Sequence, residues 1–192
     1  MKKIYVLSGP SGTGKDSILN AIVDDLHLAQ RIVSFSSRPI RDGEIDGVTY
    51  HFISSDEFIS MLERGEFIQH RIYKTLVGGF PDTWYYGMKD NLEDNEKYIV
   101  IVDFDGMRAI RDYFTPKCDL VIPIFIHTDD DIRRERVRSR GDYDKEEWNR
   151  RLESDKEVFK LEKVQKEYSY IVDNNQNFYK SLFDVAKIIQ NT

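Results

Sequence analysis

The chain has little of what would take it out of a reducing, aqueous compartment. It holds one cysteine, Cys118, so an internal disulfide is excluded and a reducing compartment is expected. No apolar run approaches the ~20 residues that span a bilayer. Ahead of Ser8 the N-terminus offers Lys2, Lys3 and only four apolar residues, Ile4 to Leu7, too few for a signal peptide. Positive charge is not in excess: the net charge is −6, which argues against a nucleic-acid binder. There is no internal repeat and no low-complexity linker. His27, His51, His70 and His127 show no metal spacing, and no pattern suggests a covalent nucleophile. A single α/β domain of 192 residues is expected, long enough to bury a sizeable core, soluble and cytoplasmic.

What is present begins with Gly9 to Ser17, Gly-Pro-Ser-Gly-Thr-Gly-Lys-Asp-Ser, straight after the apolar run Ile4-Tyr5-Val6-Leu7. Buried strand, glycine-rich turn and helix, in that order, make a phosphate-binding loop. Gly9, Gly12 and Gly14 let the backbone N–H groups around Ser11 and Thr13 turn inward on an anion, and Lys15 reaches the β- and γ-phosphates. The chain is therefore expected to hold a nucleoside triphosphate. One position departs from the pattern Gly-x-x-x-x-Gly-Lys-[Ser/Thr]: Asp16 stands where a hydroxyl is usual, with Ser17 one step later.

Periodicity predicts a strand near 3–8 and a helix over 14–26 with Ile18, Leu19, Ile22, Val23 and Leu26 as its apolar stripe. Ile32 to Phe35 reads as a second strand. Residues 38–53 read as a small antiparallel piece, and Ser54 with Glu57 as a capping box for a helix near 55–64. Glu66 to Ile68 reads as a short strand and 76–84 as a flexible loop. Buried strands follow at Tyr98–Val102, ending at Asp103, and at Leu120–Ile126. Helices are expected near 106–114, 129–140, 145–167 and 178–190, with a last strand at Tyr170–Val172. Strands alternating with helices mean a parallel sheet, whose C-terminal strand ends face the ligand.

Three clusters carry further chemistry. Ser34, Arg38, Arg41 and Tyr50 follow the second strand. Planar guanidinium forks with hydroxyls beside them suit a phosphate dianion. Asp103 and Asp105 end the third apolar run, where a carboxylate opposite a phosphate loop supports Mg²⁺; Asp105 could instead cap the next helix. Arg133, Arg134, Arg136, Arg138 and Arg140 crowd one helix, and Arg150 and Arg151 follow. They are either a solvated face or a lid that brings arginines onto transferring phosphoryl oxygens.

These pieces, in this order, resemble guanylate kinase over nearly the whole chain. Ser34-Phe35-Ser36-Ser37-Arg38-Pro39-Ile40-Arg41 through Tyr50-His51-Phe52 looks like the family's GMP-phosphate segment, and Tyr85-Tyr86-Gly87 like its paired tyrosines. The resemblance implies a P-loop core (1–33, 96–126 and 168–192), an inserted monophosphate-binding lobe (about 34–95) and a helical lid (about 127–167). It implies ATP and Mg²⁺ as cofactors, small-molecule nucleotides as partners, and a monomer or homodimer. Ser34, Arg38, Arg41, Tyr50 and Tyr86 would hold the acceptor phosphate, with Asp103 near the acceptor and Asp105 near the metal. Lys15, Arg136, Arg140 and Arg151 would act on the transferring group. Ile171 to Asn174 sits where the family brings a segment beside the donor adenine.

Two departures bear on the base. Gln69 replaces a glutamate that accepts guanine's N1–H and amino protons, and Met88 replaces a hydroxyl that donates to O6. Gly106-Met107-Arg108 also lacks the family's Gln-Gly. Weakened guanine discrimination is the expectation. The pair Asp16-Ser17 resembles ribose 1,5-bisphosphate kinase, and Asp16 could then bind Mg²⁺ in place of the missing hydroxyl. Two alternatives stay open: a sugar-bisphosphate kinase, or a guanylate kinase-like interaction module without turnover.

Overall fold

The computed structural model describes the chain except residues 78, 79, 95, 118 and 140–142 and the side chain of Leu76. Cys118 and the candidate Arg140 therefore lie outside the described residues.

Strand β1 (Lys3–Ser8) is central, and both of its faces are buried. Ile4 and Val6 meet Met107, Ile110 and Phe114 of α3 (Phe104–Phe114) and Val164 of α6 (Leu161–Glu167). Tyr5 and Leu7 meet Ile18 of α1 (Lys15–Asn20) and Val185 and Ile189 of α7 (Phe178–Asn191). A strand covered on both faces reads as a continuous apolar run, which is why it was visible in sequence. β1 pairs in parallel with β7 (Lys97–Ile101) and β8 (Leu120–His127); β2 (Gln30–Arg31) and β9 (Tyr170–Asp173) complete a five-stranded parallel sheet. Helices flank it on both faces. A second sheet of four strands has the order β4 (His51–Phe52), β3 (Phe35–Ser36), β6 (Phe80–Met88), β5 (Gln69–Val77). Helix α2 (Ser55–Glu63) covers it by stacking Phe58 on Phe67 at 4.5 Å, and Ser54 caps that helix by accepting from the Glu57 N–H. Helices α4 (Asp130–Ser139) and α5 (Lys145–Val158) stand over the phosphate loop.

Several local expectations give way. The helix expected over 14–26 is α1 followed by a π turn, Ala21–Asp25. A π turn adds about one residue, or roughly 100° of rotation, so Leu26 leaves the apolar stripe and is 43% exposed. The strand expected at Ile32–Phe35 is divided, because the chain leaves one sheet at Arg31 and enters the other at Phe35. The piece at 38–53 is not antiparallel: β4 pairs parallel to β3, since the intervening loop carries the chain back over itself. Residues 66–68 precede the strand, which starts at Gln69.

The largest correction is at 76–84, where Phe80 to Trp84 continue a hairpin of nine residues a side. Thr75, Val77, Phe80, Thr83 and Trp84 favour extended backbone, and Pro81 is tolerated because β3 pairs with β6 only at Tyr86 and Gly87. The long helix at 145–167 is two, broken at Phe159, whose ring turns in against Phe125 at 5.5 Å. Helix α3 starts two residues early because Asp103, not Asp105, is its cap, accepting from the Gly106 N–H at 2.9 Å.

Candidate active site

The phosphate loop is shaped by where its carbonyls go. Gly9, Gly12 and Gly14 have φ of 146°, 83° and 88°, values that L side chains rarely adopt. Each outward carbonyl finds a donor. Arg133 Nη1 donates to the Ser11 carbonyl at 2.9 Å, and Asn174 Nδ2 to that of Thr13 at 2.8 Å. Arg136 donates to the Thr13 and Asn174 carbonyls, at 3.4 and 2.8 Å. Lys15 Nζ donates to the Gly9 and Pro10 carbonyls at 2.7 and 2.8 Å, so its ammonium stands at the mouth of the loop. On the amide side, the Ser11 N–H donates to Asp155 Oδ2 at 3.2 Å, as the amides of such loops do to anions. Arg133 is 2% exposed and is paired with the exposed Asp130 and the part-buried Asp155 at 2.6 and 3.0 Å, so α4 and α5 are tied together beside the loop.

A cavity of about 340 Å³ opens in front of that loop. Its lining brings together Gly9, Ser11, Lys15 and Asp16 of the loop and first helix, Ser34, Arg41, Tyr50 and Tyr86, and Arg150, Arg151 and Asp155 of α5. Burial, and then the charge of Asp16, push the Tyr50 hydroxyl up to about 12, and burial raises that of Tyr86. Both hydroxyls therefore stay protonated at neutral pH and can donate to an anion. Arg41 points into the cavity, whereas Arg38 stands behind it. The Arg38 guanidinium is forked on Glu44 and stands 5.2 and 5.3 Å from the Tyr50 and Phe52 ring centres, and the residue is 5% exposed. Glu44 also accepts from the Arg41 N–H at 2.9 Å, so one carboxylate sets both arginines.

The far corner is built over Gly106. A Cβ there would lie 2.9 Å from Val102 Cβ, 3.1 Å from Asp103 Oδ1 and 3.3 Å from Gln69 Oε1, so glycine gives room for these two groups to approach the helix. Arg71 forms an ion pair with Asp103 and also lines the cavity. This corner joins an amide, a carboxylate and a guanidinium, the donor and acceptor types that read a base edge.

The family model described as Guanylate kinase matches residues 1–192. The chain belongs to the guanylate kinase family. It is 32% identical to a guanylate kinase of Alkalilimnicola ehrlichii over 185 residues, 96% of this chain and 86% of that relative. A guanylate kinase of Sulfurimonas denitrificans is 32% identical over 187 residues, 95% of this chain and 86% of its own. In fold, the chain resembles the crystal structure of guanylate kinase from Anaplasma phagocytophilum, with a TM-score of 0.69 over 99% of this chain and 85% of that one, at 24% identity. Guanylate kinases are nucleoside monophosphate kinases, and this chain is one of them. Among the described residues no helix is long and apolar enough to cross a membrane.

Within this guanylate kinase fold the expected residues divide. Gly9, Ser11, Lys15, Asp16, Ser34, Arg41, Tyr50, Gln69, Tyr86, Asp103 and Arg151 come together around one cavity. Gly12, Thr13 and Gly14 form the underside of the loop. Ser17 is exposed on α1, and Asp105 is exposed on the first turn of α3. Arg136 is turned to the back of the loop. Met88, the register partner of Gln69, is fully buried in the core and does not line the cavity. Sequence reasoning missed Arg71, Tyr73, Trp84 and Asp155. The first two carried a signal: Gln69, Arg71 and Tyr73 alternate, as one face of a strand does. Asp155 had none, since its partner Ser11 is 144 residues away.

Proposed function

We propose that this chain transfers the γ-phosphoryl of ATP to GMP or dGMP, giving ADP and the nucleoside diphosphate, with a looser grip on guanine than its relatives. The observation that supports it is one cavity lined both by Lys15 and the phosphate loop and by Ser34, Arg41, Tyr50 and Tyr86. Phosphoryl transfer asks for little beyond two held phosphates and neutralised charge. In this reading the loop amides and Lys15 hold the donor tail, Arg41 with the two tyrosines holds the acceptor head, and Arg151 reaches in from above. Arg38 serves by re-pairing from Glu44 or by positioning Arg41 through it.

Mg²⁺ in such sites is held by one or two carboxylates and the substrate's own phosphates. Asp16 fits that role, because it lines the cavity and its charge is felt at Tyr50. Asp105 fits it poorly, because it does not line the cavity and its charge is felt instead at Arg108 and Tyr168. Asp16 would hold the ion, whose chemistry when bound is to neutralise phosphate charge. Asp16→Ser should shift the Mg²⁺ concentration for half-maximal turnover; an unchanged dependence would remove this carboxylate from the metal site.

Gln69 decides the base. Its amide oxygen can accept N1–H while its NH₂ donates to O6, leaving the 2-amino group unread; turned over, it pairs adenine. One unpaired edge costs ~1–3 kcal/mol, so tenfold or more of guanine preference should be missing. An ADP-release assay over GMP, dGMP, IMP, AMP and ribose 1,5-bisphosphate tests this. GMP should lead IMP by less than about tenfold, and Gln69→Glu should widen that gap. A strict GMP preference in the unaltered enzyme would refute the reading of Gln69. Turnover of the sugar bisphosphate alone would overturn the nucleotide reading, for which only Asp16-Ser17 offers a rival.

A further inference from the structure

The β5–β6 hairpin reaches helix α5 through Tyr73. Gln69, Arg71 and Tyr73 lie on one face, opposite Met88, Tyr86 and Trp84 in register. Tyr73 stacks on Trp84 at 6.2 Å, and both line the cavity. The Tyr73 hydroxyl donates to Glu147 Oε1 at 2.9 Å. Arg151 Nε donates to the same oxygen at 2.7 Å, and Arg150 Nε donates to Glu147 Oε2 at 2.7 Å. Arg150 also donates to the Tyr73 hydroxyl, and the Arg150 and Arg151 guanidiniums stand 5.0 and 5.8 Å from its ring centre. At the other end of the chain of contacts, Arg151 Nη1 reaches Ser11 Oγ of the phosphate loop at 3.5 Å.

Most of this cluster is local to α5. Glu147, Arg150 and Arg151 are three and four residues apart and would meet on any helix. Tyr73 is the exception, because it comes from the lobe that carries Gln69 and Tyr86. Hydrogen bonds from Arg150, and after burial's opposing effect those from Arg151 and Tyr73, hold the Glu147 carboxyl down at about 2, so it is a fixed anion at any working pH. Burial raises the Tyr73 hydroxyl, which keeps its proton and acts as donor.

We propose that Tyr73 is a positioning residue for phosphoryl transfer: through Glu147 it sets the Arg151 guanidinium over the phosphate loop, joining the acceptor lobe to the lid. The inference rests on the kinase reading above. An arginine that neutralises a transition state must be held within a fraction of an ångström, and a β-hairpin anchored beside the acceptor is a stiff arm on which to hold it. Closing the acceptor lobe and seating Arg151 then become one motion.

Tyr73→Phe keeps the ring and removes only the hydroxyl, and Glu147→Gln removes the charge on the lid side. With ATP and GMP, each variant should lose kcat on the order of tenfold, with KM for either nucleotide moving less than about threefold. The double variant should be no worse than the poorer single, because both cut the same link. A merely structural role would lower the melting temperature and raise KM while sparing kcat. Wild-type kcat in both Tyr73→Phe and Glu147→Gln, or losses that multiply in the double variant, would overturn the proposal. Should the hairpin fail to fold with Phe at 73, Glu147→Gln alone decides: an unchanged kcat sinks the idea. Absence of turnover in the unaltered protein would instead sink the kinase reading.

Discussion

Lys15→Ala should lower kcat by about 10³-fold, the largest loss expected from any single substitution here. Removing one preorganised donor aimed at developing charge costs about 10²–10³ in rate, and a full positive charge on a phosphoryl group is worth at least as much. Lys15 is the cation at the mouth of the loop, where its ammonium gathers the carbonyls of Gly9 and Pro10 and the Thr13 hydroxyl. The substitution therefore acts twice, since it removes the charge and leaves two carbonyls without their donor. Lys15→Arg separates the effects. It keeps the charge but replaces a compact ammonium with a wide planar fork that this narrow turn does not seat. Steady-state kinetics with ATP and GMP, beside thermal melts, would check both. If Lys15→Ala lost less than about tenfold in kcat, the loop would not be the donor site.

Gly9→Ala should cost about 3 kcal/mol of stability and abolish nucleotide binding with it. The residue has φ of 146°, and a Cβ built on it would lie 2.5 Å from the backbone oxygen of Ile126. That oxygen belongs to β8, a strand of the parallel sheet, so it cannot yield as a side-chain tip would. The loop would have to rise off the sheet, and its amides would lose their aim. Gly43→Ala is the control, because Gly43 has φ of 81° but nothing within 4 Å of a Cβ. It should lose only the ~1 kcal/mol of backbone strain. Urea unfolding of the two variants compares them directly. Equal, small losses at both positions would show that the contact with Ile126 does not constrain the loop.

The same contrast separates the arginines. Arg133 and Arg136 lie one turn apart on α4, and sequence could only call the whole row a solvated face or a lid. In the structure both donate to carbonyls of the phosphate loop or its neighbour Asn174, and among the described residues of that row Arg150 and Arg151 line the cleft. Arg38 likewise looked like a phosphate ligand equal to Arg41. Its fork is closed on Glu44, six residues on, a partner that could not be singled out among so many acidic residues.

What the residue order determined is whatever a few neighbouring positions decide among themselves. The phosphate loop is contiguous, its glycines follow from its own backbone angles, and strands buried on both faces announce themselves as unbroken apolar runs. The amphipathic closing helix and the capping box at Ser54 and Glu57 are of the same kind. What only the three-dimensional packing decided are pairings across long separations. Asp155 on Ser11, Arg71 on Asp103 and Tyr73 on Glu147 depend on where whole elements stand, and on which of several like charges is left without room to turn to water. Phe80 to Trp84, Pro81 among them, became strand for the same reason: a neighbour was there to take the backbone hydrogen bonds.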